Sequence, residues 1–108
     1  MKVSVENIFG QLVKKDDRYE VFDNNFLNYL KLSKTILNKN KNTTGHSHIG
    51  QEEIYLFTKG TAKMQRDDDI IDVSEGDIVL IPDGVFHKVF AGTKGCEFIS
   101  IFNGNRNH

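Results

Sequence analysis

Beyond residue 40 the chain alternates short apolar runs with clusters of glycine, aspartate and asparagine, and no window holds a helical period across three turns. That pattern predicts an all-β domain. Ile54-Tyr55-Leu56-Phe57-Thr58 reads as a strand bounded by Gly60, and Thr61-Ala62-Lys63-Met64-Gln65 as a second that runs into the polar stretch Arg66-Asp67-Asp68-Asp69. Such a stretch between two apolar runs is hairpin punctuation. Ile70-Ile71-Asp72-Val73 follows, then a turn at Ser74-Glu75-Gly76-Asp77, then Ile78-Val79-Leu80-Ile81 up to Pro82-Asp83-Gly84. A run apolar at every position suits a strand covered on both faces. Two more strands are expected over 86–91 and 97–102, before a polar, frayed tail at 103–108.

The first forty residues support two periods. Phe26, Leu30 and Leu37 share a helical face, whereas Leu30, Leu32 and Ile36 alternate as in a strand. The strand is preferred, because an otherwise β-rich domain needs a partner for its edge. Asn38-Lys39-Asn40-Lys41-Asn42 is a solvated loop on either reading. The expected organisation is an N-terminal segment over 1–27, packed as strands on the barrel or at a dimer interface, a barrel over 28–102, and the tail.

Composition narrows the partners. A chain of 108 residues closes one hydrophobic core. Net charge is -1, from 14 Lys and Arg against 15 Asp and Glu, and no basic stripe builds up for a phosphate backbone to meet. Nucleic acid is therefore not an expected partner. The start of the chain carries Glu6 and no apolar run long enough for a signal peptide or membrane span, so a cytoplasmic protein is expected, with no membrane partner. The single cysteine, Cys96, has no Cys or His at ligand spacing and reads as a packed thiol.

The chemistry lies in the histidines. His46-Ser47-His48 places two imidazoles at i and i+2, which on a strand point the same way. Glu53 lies five residues on, past a turn that Gly50 permits, and Tyr55 and Phe57 share its parity, so all three face one cavity. His87 follows the Pro82-Asp83-Gly84 turn and completes a set of three imidazoles and one carboxylate. Such a set suits one divalent transition metal: Mn, Fe, Co, Ni, Cu or Zn. The run Asp67-Asp68-Asp69 sits in a predicted turn and reads as solvated rather than as a calcium site. Tyr55, Phe57, Val89 and Phe102 are candidates for lining a substrate cavity.

At this point the sequence resembles the cupin superfamily, whose motifs are commonly written G-x5-H-x-H-x4-E-x6-G and G-x5-P-x-G-x2-H-x3-N. His46, His48, Glu53 and Gly60 stand at the spacings of the first motif, and Gly76, Pro82, Gly84 and His87 at those of the second. The departures are Asn40 for the leading glycine and Ala91 for the closing asparagine, neither of them a metal ligand in the family. The resemblance spans about residues 28 to 102. It implies a double-stranded β-helix, a jelly-roll barrel, with metal near its wider mouth and His46, His48, Glu53 and His87 as ligands.

Three His and one Glu leave positions open on an octahedral metal, which implies chemistry rather than a structural site. The expected function is a metal-dependent enzyme acting on a small oxygen-rich metabolite, by isomerase or lyase chemistry or as a dioxygenase, with Glu53 moving a proton. The alternative is a small-molecule-binding or sensory cupin. Val3, Val5, Ile8, Phe9, Leu12 and Val13 lie outside the motifs and need covering, which gives the expectation of a homodimer.

Overall fold

The computed structural model describes residues 1–104. Its strands are β1 (Gln11–Lys15), β2 (Tyr19–Asn24), β3 (Leu30–Leu37), β4 (Glu53–Arg66), β5 (Asp69–Ser74), β6 (Ile78–Ile81) and β7 (His87–Asn103), and no helix occurs among the described residues. All pairings are antiparallel, in the order β1-β2-β3-β7-β4-β5, with β6 on β4.

The two long strands make the barrel. The first half of β4 lies between β6 and the second half of β7, and its second half lies between β5 and the first half of β7. Each long strand therefore serves two layers that face one another across the core. Period-two alternation fills that core, where Phe57, Met64 and Val89 are fully buried and packed with Leu37, Val79 and Phe98. Burying a side chain the size of Phe57 stabilises by about 2–3 kcal/mol.

Gly60 was expected to end a strand and instead lies within β4. It takes φ +77°, and a Cβ there would run into the Gly95 carbonyl oxygen. The β4–β7 register shifts on either side of it, between Phe57 and Lys59 and between Gly60 and Ala62. The glycine bends β4 from one layer into the other rather than reversing it. For the same reason the strands expected over 86–91 and 97–102 are one strand, β7, continuous through Gly92 and Gly95.

The run 78–81 also differs from its expectation. Val79 and Ile81 are buried, but Ile78 and Leu80 each expose 62% of their surface, so one face of β6 is open. Residues 30–37 form a strand, the preferred of the two periods. Asn40, standing where the family motif has glycine, adopts φ +58°, a left-handed conformation that asparagine tolerates, so the turn keeps its shape.

The chain before β1 is tied to the sheet by polar side chains. Asn24 Nδ2 donates to the Ile8 carbonyl at 2.6 Å, and Lys34 Nζ donates to the carbonyls of Val5 and Glu6 at 2.8 and 3.0 Å. Lys34 is buried, and these bonds together with Glu97 Oε1 at 3.5 Å satisfy its charge. Of the apolar residues before β2, Ile8 is buried, whereas Val5, Phe9, Leu12 and Val13 are exposed. The tail from Asn105 to His108 lies outside the described residues.

Candidate metal centre

Three segments converge at one end of the barrel. Glu53 is the first residue of β4, His87 the first of β7, and an extended stretch over 41–48 runs beside β7. That stretch is held by backbone bonds from Ala91 N to Lys41 O at 2.8 Å and from Thr43 N to Val89 O at 2.9 Å. The reciprocal pair between His46 and His87 follows, at 3.1 and 3.0 Å. His46 and His48 were expected on a strand; they stand on this stretch, which makes isolated bridges to β7 instead of a full ladder. The i and i+2 argument survives, because extended backbone is enough to bring the two rings within 4.6 Å of each other.

The connection between His48 and Glu53 is pinned from outside. Asp83 Oδ1 accepts the Gly50 amide at 2.8 Å, Asn103 Oδ1 accepts the Glu52 amide at 3.0 Å, and Gln51 Nε2 donates to the Asn103 carbonyl at 2.7 Å. The Gly84 amide donates to the His48 carbonyl at 2.8 Å. Asp83, Gln51 and Asn103 are thus supporting residues that the sequence reading missed. Asp83 is the one with a visible signal, since it lies inside the Pro82-Asp83-Gly84 turn.

His46, Glu53 and His87 form a group that can hold a metal ion, with one donor atom from each lying within 4.8 Å of the others. His48, the fourth expected ligand, is not in that group; its ring centroid lies 4.6 Å from that of His46 and 6.4 Å from that of His87. The Nε2 atoms of all three imidazoles and Glu53 Oε1 are shielded from solvent. His87 is the most constrained. Its Nδ1 lies 3.0 Å from the Val85 carbonyl and donates to it, which leaves the lone pair on Nε2 directed at Glu53 Oε1, 3.2 Å away.

Two acceptor lone pairs facing each other in a dry site repel unless a cation lies between them. A proton supplies one answer. Burial alone would lower the pKa of His87, yet Glu53 and the Val85 carbonyl together raise it above its usual value. A divalent metal would supply the other, since imidazole nitrogens and a carboxylate oxygen are donors such ions take. The residues present fit such an ion.

Of the residues expected to line a cavity, Tyr55 reaches the cluster, its ring edge-on to His87 with centroids 5.7 Å apart. Phe57 sits behind it, packed on Tyr55 and Phe98. Val89 and Phe102 are each 1% exposed; Phe102 is the register partner of Glu53 across the sheet. A polar row went unnoticed in the sequence. Asp23, Ser33, Ser100 and Tyr55 are successive register partners across β2, β3, β7 and β4, all buried and all of the inward parity.

Comparison with known proteins agrees with this architecture. Residues 34–102 match the cupin-domain family. KdgF from a Halomonas species superposes with a TM-score of 0.81 at 16% identity, covering 93% of each chain. An RmlC-like cupin from Shewanella frigidimarina gives 0.80 at 18% identity, covering 91% of this chain and 86% of that one. A deletion mutant of Bacillus subtilis oxalate decarboxylase gives 0.83 at 20% identity, with 98% of this chain matching 30% of that larger one. No protein of curated function matches the sequence. The match over 34–102, on a fold whose long strands bend from one layer into the other, places this chain in the cupin family.

Proposed function

We propose that this protein is a metal-dependent enzyme acting on a small oxygen-rich metabolite, a sugar, keto acid or hydroxy acid, with His46, His48, Glu53 and His87 as the metal ligands. The observation that carries the reading is the His87 Nε2 lone pair aimed at Glu53 Oε1 at 3.2 Å with the other ring nitrogen committed to Val85. A structural role would need only a closed cluster. Here the cluster is walled on one side by the Tyr55 ring, edge-on to His87, which supports a site shaped for chemistry at one end of the barrel.

A divalent metal bound there supplies Lewis-acid polarisation of a substrate oxygen, or dioxygen activation where the metal is Fe(II). The rest falls to the chain. Glu53, fixed at the head of β4, is placed to move a proton at the polarised carbon. The Tyr55 ring keeps water from the reacting end, and the Val85 carbonyl holds His87 in the tautomer that ligates. Among the similar structures, one study of Bacillus subtilis oxalate decarboxylase concerns its Mn(II) centres, which supports including manganese among the candidates.

The test has two stages. Metal content is first measured for wild type, His48→Ala and His87→Ala under limiting supply. Each variant is expected to fall below about a tenth of wild-type stoichiometry, in line with the loss of a ligand or its support. Full retention strikes that residue from the set. Metal-free protein is then loaded separately with Mn, Fe(II), Co, Ni or Zn and screened on α-hydroxy acids, keto-sugars and uronates, with and without dioxygen. Turnover without oxygen supports isomerase or lyase chemistry, and strict dependence on oxygen with Fe(II) supports a dioxygenase. Tight binding with no turnover under any metal identifies a binding protein instead.

A further inference from the structure

The row of the sheet that carries two of the metal donors continues past them. His46 bridges His87, His87 is the register partner of Arg66 on β4, and Arg66 is the partner of Asp69 on β5. Residues directly opposed in antiparallel strands share a face, with Cβ atoms roughly 4.5–5.5 Å apart, so Arg66 stands beside His87 on the face that holds the cluster. Its parity along β4 agrees, since Met64 and Ala62, two and four positions before it, are buried in the core. Arg66 is half-buried, its Nε is shielded from solvent, and it makes no hydrogen bond or ion pair with the described residues. Arg18, by contrast, is occupied by Asp16, Tyr19 and Thr44. A hollow of about 430 Å³ opens beside Arg66, lined also by Asp67, Asp68, Asp69, Pro82 and Val85. Val85 is the residue whose carbonyl orients His87. The aspartates do not take up the guanidinium: Asp67 Oδ1 accepts the Phe86 amide at 3.0 Å, and Asp68 and Asp69 are exposed.

The geometry points to Arg66 as a substrate-binding residue that takes a carboxylate of an anionic metabolite whose other end reaches the metal. This rests on the metal-dependent reading above and narrows its substrate to acids. A guanidinium N–H held out of water without an acceptor is costly, and an acceptor that arrives with the substrate removes that cost. The planar fork of arginine matches a carboxylate through two parallel hydrogen bonds, whereas a neutral sugar hydroxyl leaves its charge uncompensated. Charge around the hollow selects among anions. Asp67, Asp68 and Asp69 repel a doubly charged phosphate ester more than a singly charged carboxylate. Spacing selects size, because Arg66 and His87 are immediate neighbours in one row, so few bonds separate the oxygen on the metal from the carboxylate on the guanidinium.

The test is calorimetric titration of Mn-loaded protein with malate and with 2-hydroxybutyrate, which share a four-carbon chain and a 2-hydroxy-carboxylate head and differ in the second carboxylate. Wild type is expected to bind malate about tenfold tighter or more, the usual worth of a charge-assisted pair. In Arg66→Gln the preference is expected to fall within about twofold, with metal content and 2-hydroxybutyrate affinity unchanged. Lys63→Gln is the control: it removes the same charge from the same strand, but Lys63 is exposed and pairs with Asp72, and the preference is expected to stay. A preference that survives in Arg66→Gln, or that Lys63→Gln abolishes equally, overturns the inference. So does displacement of malate by an equal concentration of inorganic phosphate. Should Arg66→Gln fail to fold, Arg66→Met keeps the aliphatic stem without the charge, and an unchanged malate preference there overturns the inference equally. The two readings fail differently. Wild type that holds full metal yet shows no malate preference overturns the role of Arg66 alone, whereas wild type that takes up no metal overturns both.

Discussion

With the proton on Nδ1 committed to the Val85 carbonyl, His87 can take a second proton only at Nε2, beside Glu53. In the metal-free protein this raises the folded-state pKa above the unfolded value of 6.5. A raised pKa contributes stability that is fully present below the unfolded value and is lost as pH rises through the folded one. The metal-free protein is therefore expected to weaken from about pH 6.5 upward, with a slope no steeper than about 1.4 kcal/mol per unit for one proton. Metal reverses the sign. Ligands must be deprotonated to bind it, so the metal-loaded protein is expected to lose stability as pH falls through the same window. Thermal melts of chelated and metal-loaded protein across this range check both slopes, and parallel curves would remove His87 from the shared proton and metal position. At this scale His46, Glu53 and His87, which the fold brings together, were legible because their residue types are chemically distinctive. Asp23, Ser33 and Ser100 were not, since seeing them as one row with Tyr55 requires the register of four strands.

Strands carry the next level of explanation, and glycine shows what sequence periodicity leaves open. A positive-φ glycine between two apolar runs is compatible with a reversal or with a bulge inside one strand, and only the partner chain decides. At Gly60 the register partner is Cys96, and the carbonyl oxygen of the preceding Gly95 occupies the space a Cβ would need. Gly76 has a similar φ, +93°, but nothing within 4 Å of its missing Cβ. The pair separates backbone strain from steric exclusion. Gly76→Ala is expected to cost about 1 kcal/mol, from the left-handed conformation alone, and Gly60→Ala about 3 kcal/mol or more, because the β4–β7 crossing must also open. Denaturant unfolding of the two variants measures the difference, and equal costs would mean that the crossing yields easily. The same limit explains Ile78-Val79-Leu80-Ile81. An unbroken apolar run fixes the strand but leaves open whether its second face meets the core or the open side of a sheet.

At the level of the whole molecule, metal binding and folding stability are one linked equilibrium. A metal that binds the folded site and not the unfolded chain stabilises by mass action, by about 2.7 kcal/mol when free metal is a hundred times its dissociation constant. For a domain of this size each kcal/mol shifts Tm by about 4–8 °C, so complete chelation is expected to lower Tm by roughly 10 °C or more. Wild type with verified metal removal and no shift would mean that the cluster at the barrel mouth is held together by its proton and its hydrogen bonds, with no folding energy drawn from a metal.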